Sequence, residues 1–159
     1  MNREAQSKPP LTILLVEDHP DTLEAMGNWL RSKGYQVVTA TDMKSALKVG
    51  REQGFDLLLS DLQLPDGDGW TLLEKLRGER EILAVAISGH GAPADLERSE
   101  QAGFLAHVLK PCSPTELAAV LAGVERSRRI GTPPRLRRKS SAGAAATGGA
   151  ANGGAFEAP

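Results

Sequence analysis

The sequence predicts an α/β fold: a (βα)5 doubly wound five-stranded parallel sheet. Three observations carry that prediction. Short apolar runs of strand length alternate with amphipathic stretches of helix length along most of the chain. Leu57-Leu58-Leu59 and Ile82 to Ile87 are continuously apolar, the pattern of strands buried on both faces. The chain has 159 residues, enough for one domain with a proper core, or one domain plus a tail.

Each element has its own signals. Leu11 to Val16 reads as the first strand. Pro20 to Lys33 follows as a helix, with Leu23, Met26 and Leu30 at helical spacing and Gly34 as its stop. Tyr35 to Thr39 is the second strand. Asp42 to Gln53 reads as the second helix, with Thr41 as N-cap, Ala46, Leu47 and Val49 on its apolar side, and Gly54 after it. Phe55 to Ser60 is the third strand. The loop Pro65-Asp66-Gly67-Asp68-Gly69 carries turn residues, and Asp68 can cap the helix expected from Trp70 to Arg77. Ile82 to Ile87 is the fourth strand, Ala92 to Ala102 a helix ended by Gly103, and Phe104 to Leu109 the fifth strand. Ser113-Pro114-Thr115-Glu116 opens the last helix, with Pro at the first helical position and a capping-box spacing of Ser and Glu.

Three regions follow from this reading: a flexible N-terminus at 1–10, the domain at 11–126, and a flexible tail at 127–159, basic at first and then rich in Ala and Gly. Charge divides the same way. Residues 1–125 hold 19 acids and 12 bases, a net −7, whereas residues 126–159 hold seven bases and one acid, a net +6. Cys112 is the only cysteine, which excludes an intrachain disulfide and a cysteine-built zinc site. No apolar stretch approaches the roughly 20 residues that a membrane-spanning helix needs. The expectation is a cytoplasmic protein with no membrane partner.

Parallel strands joined by helices place their carboxyl ends along one crevice, where such folds bind ligands. Glu17 and Asp18 follow the first strand, Asp61 the third, Ser88 the fourth, and Lys110-Pro111 the fifth. Three carboxylates, a hydroxyl and an ammonium then share one site. Clustered carboxylates repel, and a hard divalent cation such as Mg2+ relieves that repulsion through oxygen ligands. With the cation bound, Asp61 can act as a carboxylate nucleophile toward a phosphoryl group. Lys110 can offset charge on that group, and Ser88 can donate a hydrogen bond to it.

Ile13-Leu14-Leu15-Val16-Glu17-Asp18, Asp61-Leu62-Gln63-Leu64-Pro65-Asp66-Gly67-Asp68-Gly69, Ile87-Ser88-Gly89 and Lys110-Pro111 together resemble the receiver domain of two-component response regulators, over about Thr12 to Glu125. The resemblance implies a flavodoxin-like receiver fold and phosphorylation of Asp61 by a histidine kinase or a histidine phosphotransfer protein. It implies Mg2+ (or Mn2+) held by Asp18, Asp61 and the backbone carbonyl of Gln63, with Glu17 acting through a water. Ser88 and Lys110 would contact the phosphoryl group, and the bond before Pro111 would be cis. Output would pass to a protein target through the fourth helix, fifth strand and fifth helix. His107 stands where the family often has Tyr or Phe, so switching is expected either to run through His107 or to be weaker; a surface-edge histidine is the plainer alternative. Gln63 and His90 occupy positions that tune hydrolysis in the family.

Two other functions compete. One is a binding adaptor that does not use phosphorylation, against which the intact acidic cluster argues. The other gives the basic tail a nucleic acid or acidic partner, through Arg126, Arg128, Arg129, Arg135, Arg137, Arg138 and Lys139. No Gly-x-Gly-x-x-Gly follows the first strand, which argues against a dinucleotide site. Gln63 stands where an aspartate-based phosphohydrolase usually has a second aspartate. No DNA-binding or metabolic catalytic domain is expected.

Overall fold

The computed structural model describes residues 9–78, 81–89 and 91–130, the side chains of 129 and 130 excepted. In chain order the elements are β1 (Thr12–Val16), α1 (Pro20–Ser32), β2 (Gln36–Ala40), α2 (Met43–Glu52), β3 (Leu57–Asp61), β4 (Gln63–Leu64), β5 (Gly67–Asp68), α3 (Gly69–Arg77), β6 (Leu83–Ser88), α4 (Pro93–Ala102), β7 (Ala106–Leu109) and α5 (Pro114–Ile130). The five-stranded sheet has the order β2-β1-β3-β6-β7, every pair parallel. The predicted fourth and fifth strands are thus β6 and β7. The Pro-Gly-Asp loop is more ordered than its composition suggests: β4 and β5 pair as a small antiparallel hairpin.

Alternation along the strands builds two cores. Ile13, Leu15, Leu57, Leu59, Val85 and Ile87 face Met26 and Leu30 of α1 and Leu117, Leu121 and Val124 of α5. Leu14, Val16, Leu58, Ala84 and Ala86 face Ala46 of α2 and Leu72, Leu73 and Leu76 of α3. β3 is buried along its whole length. Each fully buried Leu contributes about 1.5–3 kcal/mol relative to exposure, so the central strand is the best-fixed platform in the molecule. No described helix is long and apolar enough to cross a membrane.

Element ends differ from the sequence reading in informative ways. Asp42, not Thr41, is the N-cap of α2: its carboxylate accepts Ser45 N at 2.7 Å, and Ser45 Oγ accepts Asp42 N at 3.3 Å, a reciprocal capping box. The carboxylate is the stronger acceptor, so it takes the position the hydroxyl was expected to hold. Asp68 caps α3, accepting Thr71 N at 2.7 Å. Ser113 and Glu116 form the expected box at the start of α5. Gly103 ends α4 with φ 96°, the left-handed cap that glycine adopts without strain. The expected boundary at 126 falls inside α5, which continues to Ile130. Arg128 is occupied there, lying 3.7 Å from Asp56 Oδ1 and donating to the Pro9 carbonyl at 3.3 Å. Residues 1–8 and 131–159 lie outside the described residues.

Candidate functional site

Glu17 leaves β1 with its backbone N–H still held by the Ala40 carbonyl of β2, at 3.1 Å. This extends the sheet by one residue and turns the Glu17 side chain inward, where it is 2% exposed. Asp61 is the last residue of β3, paired in register with Ile87, and is 8% exposed. Lys110 follows β7, its backbone N–H donating to the Ser88 carbonyl at 2.8 Å. Its ammonium bridges the two buried acids, with Nζ 2.6 Å from Glu17 Oε2 and 2.8 Å from Asp61 Oδ2. The other Asp61 oxygen, Oδ1, accepts the Gln63 N–H at 3.0 Å. Three strand ends, β1, β3 and β7, therefore meet at one ammonium.

Two buried acids share the Lys110 ammonium. Burial pushes the Glu17 carboxyl above its usual range, and the Lys110 contacts only partly oppose this. Burial also works against the Lys110 ammonium, but its hydrogen bonds to Asp61 and Glu17 outweigh that and raise its pKa. Asp18 follows Glu17 in the β1–α1 turn, half open to solvent, and His19 Nδ1 lies 3.8 Å from Asp18 Oδ1. Ligand atoms of Glu17, Asp18 and His19 all fall within 4.8 Å of one another. The Glu17 and Asp18 carboxylates, with Asp61 joined to Glu17 through Lys110, give an oxygen-rich, net-negative lining, which fits a hard divalent cation.

Glu17, Asp61 and Lys110 are the expected site residues joined directly by side-chain hydrogen bonds. Ser88 ends β6 with 1% exposure, in register with Leu109. The Lys110–Pro111 bond is cis. A groove of about 470 Å3 opens between the β4–β5 hairpin and α4, lined in part by Gln63, Asp68, Trp70, Ser88 and Asp95. His107 stands apart from the carboxylates. Its Nδ1 lies 3.1 Å from Ser99 Oγ on α4, and that hydroxyl accepts Trp70 Nε1–H from α3 at 3.0 Å. The histidine is half-buried and lies on the edge strand β7. His90 lies outside the described residues.

Several supporting contacts have no signature in the sequence alone. Ser99 is buried at 1% exposure and joins three elements. Arg98 lies over the Trp70 ring at 4.0 Å and 3.9 Å from Asp68 Oδ2. Asp66 accepts Met43 N at 2.7 Å and Lys44 N at 2.9 Å. Periodicity signals none of these, because each partner belongs to a different element.

Comparison with known proteins agrees with this geometry. Residues 13–122 match the family described as the response regulator receiver domain. The two-component response regulator ARR11 of Arabidopsis thaliana is 30% identical over 130 residues, covering 80% of this chain and 25% of the relative. The probable transcriptional regulatory protein TcrX of Mycobacterium tuberculosis is 34% identical over 124 residues, covering 77% of this chain and 53% of the relative. The chain thus spans between a quarter and about half of the length of these relatives. Among solved structures, a CheY-like response regulator receiver domain protein from Methanospirillum hungatei superimposes with a TM-score of 0.73 at 27% identity, covering 77% of this chain and 98% of that one. With this fold and a family match over residues 13–122, the chain belongs to the response regulator receiver domain family of two-component signalling modules.

Proposed function

We propose that this chain is a phosphoacceptor, phosphorylated on Asp61 by a histidine kinase or a histidine phosphotransfer protein in the cytoplasm, and that it signals through protein–protein contacts. One observation carries the reading. Asp61 is a buried carboxylate at the end of the central strand, with one oxygen held by the Lys110 ammonium and the other by the Gln63 amide. A carboxylate so restrained is aimed and cannot rotate freely.

Asp18, Asp61 and the Gln63 carbonyl would hold Mg2+ (or Mn2+), with Glu17 acting through a water. The cation, when bound, supplies positive charge to the phosphoryl oxygens. Asp61 attacks phosphorus; the new O–P bond forms as the donor N–P bond breaks, and the electron pair returns to the donor imidazole, which takes up a proton. Lys110 leaves its carboxylate partners to pair with the phosphoryl group, and Ser88 donates a hydrogen bond to it. Gln63 and His90 tune access of water, and Pro111 fixes the loop that carries Lys110. The change is read by a protein target on the face of α4, β7 and α5, where Leu109 is 44% exposed. His107, on β7 and bonded to α4, couples the pocket to that face.

The test is incubation with a small-molecule phosphodonor and Mg2+, followed by intact-mass measurement. Gain of one phosphoryl group by the wild type and none by Asp61→Asn is expected. No gain in either would favour an adaptor that works without phosphorylation. Of the basic residues in the tail reading, Arg128 has intramolecular partners in Asp56 and Pro9.

A further inference from the structure

The loop that supplies the Gln63 carbonyl is a hairpin with only two residues in each arm, pairing Gln63 with Asp68 and Leu64 with Gly67. A hairpin that small does not hold itself together in water. It is fastened from outside at three points. At its base, Gly69 N–H donates to the Leu62 carbonyl at 2.9 Å. On the α3 side, Asp68 accepts Thr71 N. At the tip, Asp66 reaches α2 with both carboxylate oxygens, Oδ1 on Met43 N at 2.7 Å and Oδ2 on Lys44 N at 2.9 Å.

The tip contact completes an exact count of donors. A helix begins with four backbone N–H groups that have no partner within it. In α2 these belong to Asp42, Met43, Lys44 and Ser45. Ser45 Oγ takes the first, Asp42 Oδ1 takes the last, and Asp66 takes the middle two. Negative charge at this end of a helix is also favoured by the helix dipole. Close packing accompanies the hydrogen bonds: a Cβ on Gly67 would come within 2.8 Å of Met43 Cε. The other end of the same hairpin touches the acceptor directly, through Gln63 N and Asp61 Oδ1.

We infer that Asp66 is a positioning residue of the phosphorylation pocket: by clasping the first turn of α2, it fixes the hairpin that places Gln63 against Asp61. The inference rests on the reading of that pocket as a metal-dependent phosphoacceptor site. It assigns α2 a part in the pocket, although α2 contributes no side chain to the acidic cluster.

Asp42 provides the control. It caps the same helix end, but its carboxylate is bonded to Ser45 of α2 rather than to the hairpin. Mn2+ binding is titrated by electron paramagnetic resonance for the wild type, Asp61→Asn, Asp66→Ala, Asp66→Asn and Asp42→Ala, with urea unfolding of each. Asp66→Ala should weaken Mn2+ binding roughly tenfold, the scale seen when residues that orient metal ligands are removed. Asp66→Asn keeps one acceptor oxygen and should fall between Asp66→Ala and the wild type. Asp42→Ala should lose stability yet bind Mn2+ as the wild type does. Wild-type affinity in Asp66→Ala overturns the inference, and so does an equal loss in Asp42→Ala, which would trace the effect to helix stability alone. Mn2+ binding that is absent in the wild type, or unaffected by Asp61→Asn, overturns the phosphoacceptor reading itself and the inference with it.

Discussion

Replacing Lys110 with methionine removes the ammonium that bridges two buried acids while keeping most of the side-chain volume. Glu17 and Asp61 then face each other without compensation, at 2% and 8% exposure. Breaking a buried ion pair from one side costs about 3–5 kcal/mol. The Lys110 side chain is itself 28% exposed, so water screens part of the interaction, and about 2–4 kcal/mol is the reasonable range. The cost has a pH window. The Glu17 pKa is raised in the fold, so at low pH Glu17 is protonated and the loss shrinks. The Lys110 pKa is also raised; its contribution is fully present below the unfolded value of 10.5 and is lost as pH rises through the folded value. Above that value the wild type carries the same uncompensated acids as the variant, and the two should converge. Urea unfolding without divalent cation should therefore show a midpoint shift of about 1–2 M at pH 8, and smaller shifts at pH 4.5 and pH 11. Equal midpoints at pH 8, or a loss that grows toward acid, would refute this account.

Two further substitutions probe the surroundings of the pocket. Gly69→Ala should reduce the rate of phosphorylation more than it reduces stability, as measured by intact-mass time courses beside thermal unfolding, because the added Cβ would sit 2.7 Å from the Asp61 carbonyl oxygen and must displace the end of β3. Ser99→Ala removes the hydroxyl shared by Trp70 and His107 and should cost about 1–3 kcal/mol in urea unfolding. It should also shift Trp70 fluorescence; an unchanged spectrum would argue against the hydrogen bond.

The fold was legible because parallel strands packed on both faces leave an unambiguous trace. Leu57 to Leu59 and the run ending at Ile87 can be little else. Their ends were less clear. Phe55 and Phe104 extend the apolar runs, yet they lie before β3 and β7, and Phe104 is a fully buried core residue outside the ladder. Hydrophobicity reports burial, and burial continues past the last hydrogen-bonded pair. The acids and Lys110 were legible for a topological reason: each follows a strand end, and parallel strands bring those ends together. The partners of Asp66, Ser99 and Trp70 were not legible because Asp66–Met43 and Trp70–Ser99 join residues more than 20 positions apart on different elements. A polar pair of that kind leaves no periodic mark, and either member alone looks like an ordinary turn or helix residue.

The position of β3 has a consequence for how the pocket can move. Its amides are paired on both sides, to β1 and to β6, and its side chains fill both cores. Amide hydrogen exchange along such a strand proceeds only through opening on the scale of the whole domain. Asp18 lies in the turn after β1 and Gln63 in the two-residue hairpin arm after β3, both outside the five-stranded sheet, where local opening is cheaper. The pocket thus joins a slow-exchanging floor to a faster rim, and adjustment to an incoming group falls to the rim while the Asp61 carboxylate stays where the sheet holds it.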